Sequence, residues 1–320
     1  MEHTHHHCNH PPALLGSDDH GETRLAIALV VTCLYMVVEI AGGLLFNSLA
    51  LLADAGHMLS DAMALGLSWV AIRIGRRSPN DRLTFGFTRS EILTALFNGL
   101  LLWAIVALIF YEAIHRFFKP EPVQGLGMFL VATVGLILNL AMAGLLFGRR
   151  KESLNIRGAF LHVLSDALGS IGALAAGILI IYTNIYWIDP LVSVLIGVLI
   201  LMSSWGLLKE SVHVLMEGVP KGLDVSDIES VLVGIDGVCC VYDLHVWSLS
   251  SLQTNLSAHV VLAETVRDPN EILIEMKSVL NSKFSIRHAT IQIEISHEMR
   301  SESDRRFCRV GTGCDANNAN

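Results

Sequence analysis

A histidine and an aspartate one helical turn apart occur twice in this chain, in the runs HMLSDA from His57 and HVLSDA from His162, 105 residues apart. Each copy lies inside a long apolar stretch. On a helix, residues i and i+4 share a face, so His57 falls in line with Asp61 and His162 with Asp166. Two such faces turned toward each other would offer two imidazoles and two carboxylates around one point. Zinc accepts that tetrahedral set at about 2.0–2.2 Å per ligand. Ionised groups at the centre of a bilayer cost about 2.5–3.5 kcal/mol each on insertion scales, so the four need compensation. A divalent cation supplies it, and protons can take its place when it leaves. Interhelical hydrogen bonding between the two stretches is the alternative reading of the same residues.

The elements that must position these groups are written in the apolar pattern. Of 320 residues, 52% are hydrophobic and 16% charged, against about a quarter charged in soluble chains. Six stretches reach the roughly 20 residues needed to cross a hydrocarbon core: Leu25–Phe46, Leu49–Ile72, Ile92–His115, Leu126–Phe147, Ile156–Tyr182 and Ile188–Leu208. Arg73, Arg76, Arg77, Arg82 and Arg89 follow the second, and Arg149, Arg150, Lys151 and Arg157 lie between the fourth and fifth. The loops on the other side carry only Arg116 and Lys119. The positive-inside rule therefore predicts cytosolic termini.

Beyond the spans the pattern changes. Asp224–Ile235 and Asn270–Leu280 read as helices, and Val238–Leu249, Gln253–Leu262 and Ala289–Ile295 alternate as strands. The expected fold class is an α-helical membrane protein with six transmembrane helices, followed by a small α+β cytosolic domain of αββαβ, ferredoxin-like order. The division is 1–23, a His/Cys-rich segment; 24–208, the spans; 209–300, the soluble domain; and 301–320, a polar tail with the composition of disorder. A net charge of −8 with no basic stripe argues against a nucleic-acid partner. Six scattered cysteines do not form a disulfide scaffold, and no signal peptide is legible.

Other polar residues fall at depth. Asp54 lies one turn before His57 and is a candidate relay for cations or protons. Glu39 and Asn139 suit packing and hydrogen bonding as well as transport. At the amino terminus, His5, His6, His7, Cys8 and His10 mix thiolate with imidazole, a set that suits zinc or copper(I). With Cys308 and Cys314 they are candidates for capturing cytosolic metal; a purification tag is the bland alternative for the histidines.

These residues together resemble the cation diffusion facilitator family of zinc transporters, over nearly the whole chain. The resemblance is carried by EIAGG from Glu39, SLALLADAGHMLSD from Ser48, FGFTRSE from Phe85, the second His162/Asp166 pair, and DLHVW from Asp243. It implies a homodimer with a metallochaperone-like cytosolic domain, exporting Zn2+ in exchange for protons, with zinc also as a regulatory ligand. His57, Asp61, His162 and Asp166 match the family's transport site. Arg89 and Glu217 match a charge pair at the membrane–domain hinge. His259 and Glu294 match positions that bind metal in the soluble domain, and His288 is a candidate to join them. A family ligand position is held here by Tyr242, and strand alternation places Asp243 and His245 on the face opposite it. Leu83 and Phe87 stand where some bacterial members have histidines, and the loop Gly148–Asn155 is short and histidine-free, so neither place is expected to bind metal.

Zinc needs neutral imidazole and ionised carboxylate, so its binding and proton binding exclude one another. An intramembrane metalloenzyme using the same ligands is one alternative, although no HExxH occurs. A channel or importer is another, and Cd2+ and Co2+ also suit the ligands. Short loops, modest length and the lack of a targeting segment point to a bacterial plasma membrane.

Overall fold

The computed structural model describes residues 19–75, 77–147, 154–250, 253–263, 267–295 and 309–310. Six long helices come first: α1 (Asp19–Leu45), α2 (Leu49–Gly75), α3 (Ser90–Phe118), α4 (Gly125–Phe147), α5 (Leu154–Thr183) and α6 (Ile188–Leu215). Over the described residues, α3, Gly125–Gly144 of α4, Val163–Thr183 of α5 and α6 are each long and apolar enough to cross a membrane; α1 adds a shorter apolar run, Val30–Leu45. Leu108, Leu130, Ile137, Leu168 and Leu199 are exposed on these helices, which suits a hydrocarbon surround. The helix α6 runs seven residues past the expected Leu208, through Lys209 and Glu210. Hydropathy marks where lipid must end, whereas helical hydrogen bonding needs no lipid to continue.

The links between helices are closed by local chemistry. Asn47 takes the left-handed conformation after α1 and Asn184 does so after α5, as Asn tolerates better than bulkier residues. Ser48 Oγ accepts from Leu51 N at 3.3 Å as the first cap of α2. The described residues fall into two compact units, one within 1–62 and 104–200 and the other within 63–103 and 201–320.

The soluble part follows as α7 (Val225–Val233), β1 (Val238–Ser248), β2 (Thr254–Leu262), α8 (Pro269–Phe284), β3 (His288–Ile295) and β4 (Arg309–Val310), which realises the αββαβ order. Asp224 caps α7 and Asp268 caps α8, each side chain accepting from the backbone N–H two residues on. The sheet order is β3-β2-β1-β4, with β1–β2 antiparallel and β2–β3 parallel. Ile228 and Leu232 of α7 and Ile272, Met276 and Leu280 of α8 bury against Val246, Leu256, Val260 and Leu262 of the strands.

Two features depart from the alternation rules. The tail read as unstructured contributes β4, whose Arg309 and Val310 pair with Val241 and Cys240; the outer edge of β1 offers backbone groups that need partners. Between Tyr242 and His245 the β1–β2 register slips by one residue, and Asp243 has φ +50°. That is a β-bulge, which re-aims the side chains around it.

Candidate metal centre

The two helices carrying the repeated motif bring three of its side chains together. His57 Nε2 lies 3.5 Å from Asp61 Oδ2 on its own helix and 3.8 Å from Asp166 Oδ1 on α5. Asp166 is buried, and His57 is largely so. His162 stands one turn before Asp166 on α5; its side chain lies outside the described residues. Among the described residues no group of three or more His, Cys, Asp or Glu is arranged to hold an ion by itself.

A second contact between α2 and α5 lies one turn further in. A Cβ added at Gly169 would meet Asp54 Oδ1 at 3.0 Å, so the glycine lets α5 lie against this carboxylate. Asp54 is buried, and Glu39 of α1 is fully buried. Tyr35 Oη donates to Glu39 Oε1 at 2.5 Å. Asn139, the other polar residue noted at depth, donates to Ser170 Oγ at 3.4 Å.

The far end of α2 is held by a residue that sequence reasoning passed over. Asp189, fully buried at the start of α6, accepts from Ser48 Oγ and Leu49 N at 2.7 Å each and from Ala50 N at 3.2 Å. It supplies a carboxylate to the positive end of the helix that carries His57 and Asp61. Arg116, read from sequence as a loop charge, is buried too and donates to the Asn47 carbonyl at 2.8 Å. This ties α3 to the α1–α2 turn.

In the soluble domain His259 and Glu294 meet as expected, with Nδ1 to Oε1 at 2.9 Å. Tyr242 Oη donates to the other carboxylate oxygen at 2.8 Å. Partial burial works to raise the Glu294 pKa, but the hydrogen bonds from His259, Tyr242 and Gln292 outweigh it and hold the carboxyl below the usual glutamate range. His288 does not join them. It pairs in register with Asn255, four residues along β2 from His259, or about 13 Å away, and its ring stands edge-on to Phe85. The bulge also overturns the expected facing of Asp243, whose Oδ2 lies 4.0 Å from His259 Nε2 while Oδ1 lies 3.0 Å from His245 Nε2. Arg89 and Glu217 do meet, at 2.9 Å. His5, His6, His7, Cys8, His10, Cys308 and Cys314 lie outside the described residues.

With four helices long and apolar enough to cross a membrane among the described residues, and matches to named cation transporters, the chain is a membrane transporter of cations rather than an enzyme. The chain belongs to the cation efflux family. Residues 25–216 match the cation efflux transmembrane domain and 220–296 the cytoplasmic domain of cation efflux proteins. It is 46% identical over 274 residues to the zinc transporter ZitB of Pectobacterium atrosepticum, covering 85% of each chain. It is 44% identical over 274 residues to the cadmium, cobalt and zinc/H(+)-K(+) antiporter of Bacillus subtilis, covering 84% of this chain and 88% of that one. A solved metal-bound C-terminal domain of the CzcD transporter from Cupriavidus metallidurans, 39% identical, covers 22% of this chain and 99% of its own, with a TM-score of 0.22.

Proposed function

We propose that this protein exports Zn2+ from the cytosol in exchange for protons, through a site formed by His57, Asp61, His162 and Asp166. The spacing of the described ligand atoms carries the reading. Two ligands held tetrahedrally at about 2.1 Å from one zinc ion stand roughly 3.4 Å apart, and His57 stands 3.5 and 3.8 Å from its two carboxylate neighbours. His162, by its place on α5, supplies the fourth ligand. Two imidazoles with two carboxylates favour zinc over harder cations, and the names of the Pectobacterium and Bacillus relatives support zinc with cadmium and cobalt beside it.

Proton coupling follows from the ligands. Histidine titrates near neutral pH, so a modest gradient exchanges protons for metal. Asp54, buried one turn from His57, is the relay. In this reading the protein is a homodimer with cytosolic termini. Arg89 and Glu217 form its hinge pair, His259 and Glu294 a regulatory metal position, and the His/Cys termini capture zinc.

The test is the purified protein in vesicles under an imposed pH gradient, with zinc, cadmium, cobalt and manganese followed separately. Zinc flux coupled to opposite proton flux is expected; manganese transported as fast as zinc, or zinc flux indifferent to the gradient, contradicts it.

A further inference from the structure

Phe85, exposed on the loop between α2 and α3, has no part in the transport site. Its loop is closed on itself. Asn80 N donates to the Leu83 carbonyl and Leu83 N to the Asn80 carbonyl, at 3.1 Å each. Asn80 Oδ1 also accepts from Arg82 N and Leu83 N at 2.9 Å each. Gly86, at φ +67°, returns its N–H to the Leu83 carbonyl at 2.9 Å, a backbone conformation that glycine adopts without a steric cost. Ser90 Oγ donates to the Ala71 carbonyl at 3.2 Å, joining the end of the loop to α2. The Phe85 ring is therefore carried on a braced support. It meets His288 edge-on, with ring centroids 5.8 Å apart and planes at 80°. His288 opens β3, the edge strand of the sheet. Side chains alternate along a strand, so His288, Thr290, Gln292 and Glu294 share one face, while Ala289, Ile291 and Ile293 pack on the helical side. On the shared face Gln292 Nε2 donates to Glu294 Oε1 at 3.0 Å, and Glu294 meets His259 and Tyr242. One strand thus has the loop's ring at its first residue and the carboxylate of the soluble metal position near its last.

We propose that Phe85 is a positioning residue for the soluble domain's metal position: by seating His288 it steadies β3, and with it Glu294, and zinc bound there tightens the loop in return. This rests on the regulatory metal position of His259 and Glu294 given above. An edge strand is hydrogen-bonded along one side only, so a second anchor at its start limits the motion of a ligand near its end. A ligand held in place beforehand costs less to order on binding. Coupling between two places is reciprocal. Whatever the ring contributes to zinc affinity, zinc returns to the ring, and so to α2, the helix of His57 and Asp61. An edge-to-face pair shifts an equilibrium by about two- to twelvefold. The Arg89–Glu217 pair holds the same loop at a second place; the ring contact differs in lying on the strand that carries a ligand.

The test is zinc calorimetry on the full chain carrying Asp166→Asn, where the binding that Glu294→Gln removes is the soluble-domain component. Phe85→Ala is expected to weaken that component by at least about twofold, and His288→Ala to do the same from the other side of the contact. The two together should lose no more than either alone, as for partners in one interaction. Phe85→Tyr keeps the ring edge and should bind zinc as its parent does. Gel filtration checks the fold of each variant. With the membrane site intact, Glu294→Gln should change zinc flux into vesicles less on a Phe85→Ala background than on the unaltered one. Unchanged affinity in Phe85→Ala, or losses from Phe85→Ala and His288→Ala that add in full, overturns the proposal and leaves the metal position standing. If Glu294→Gln removes no zinc binding, the metal position itself fails and the proposal falls with it, so the two failures are told apart.

Discussion

Gly169 of α5 stands where a methyl group would press within 3.0 Å of Asp54 Oδ1 on α2, three residues from Asp166 on one helix and three from His57 on the other. The close approach of these two helices is therefore set beside the proposed ligands. Gly169→Ala should be tolerated with a small loss, since the carboxylate can yield by a few tenths of an ångström. Gly169→Val should separate the helices and reduce zinc flux by at least about tenfold, as misplacements of about 1 Å do at reacting centres. Vesicle transport by both variants, with folding checked by gel filtration, decides this.

Removing one proposed ligand should matter more. Asp166→Asn keeps the shape and deletes a negative charge, and His57→Ala deletes an imidazole. Each is expected to weaken zinc binding by at least about 100-fold, more than the 10- to 100-fold typical of outer-shell changes. Titration of the purified variants with zinc, alongside their thermal unfolding in detergent, reads both quantities.

Asp189→Ala would strand the Ser48 hydroxyl and two N–H groups at the start of α2. An unsatisfied buried donor costs about 1–3 kcal/mol, so a stability loss of about 2 kcal/mol or more is expected. Asp189→Asn should lose less, since its amide oxygen still accepts. Thermal or denaturant unfolding in detergent measures the order of the two.

Tyr242 pairs across the sheet with His259 and donates to Glu294. Replacing it by histidine would set a second imidazole beside the existing imidazole and carboxylate. Tyr242→His is expected to raise zinc affinity of the soluble domain by about tenfold or more, provided the bulge at Asp243 persists. Calorimetry on the full chain carrying Asp166→Asn, which silences the membrane site, isolates the effect.

Glu294 gives a pH dependence with a defined sign. Its carboxyl titrates below the usual glutamate range in the folded protein. Its stabilisation is thus fully present above the ordinary glutamate pKa and is lost as pH falls through the lower, folded value. Unfolding measured on a descending pH series should show an acid-side loss that Glu294→Gln flattens. An unchanged slope in that variant contradicts the assignment.

Much of this architecture is legible in the residues. Apolar runs of bilayer length set the helices, and the His57/Asp61 and His162/Asp166 repeat needs only helical periodicity to be seen. The soluble elements fell within a few residues of their expected places because β1, β2 and β3 alternate and α7 and α8 carry acidic caps. What escaped depends on partners distant in the chain or on backbone irregularity. Asp189 caps a helix 140 positions earlier, and no local pattern announces that. Asp243 turns toward His259 because of one extra residue in β1, and alternation fails wherever such a residue occurs. His288 is only six positions before Glu294, yet an extended strand carries it well out of reach.

Arg309 and Val310, ten positions before the end of the chain, are part of the sheet. Engineering at this terminus is therefore not neutral. A shortened chain ending at Ile295 would bare the β1 edge at Cys240 and Val241 and invite association with other chains through it.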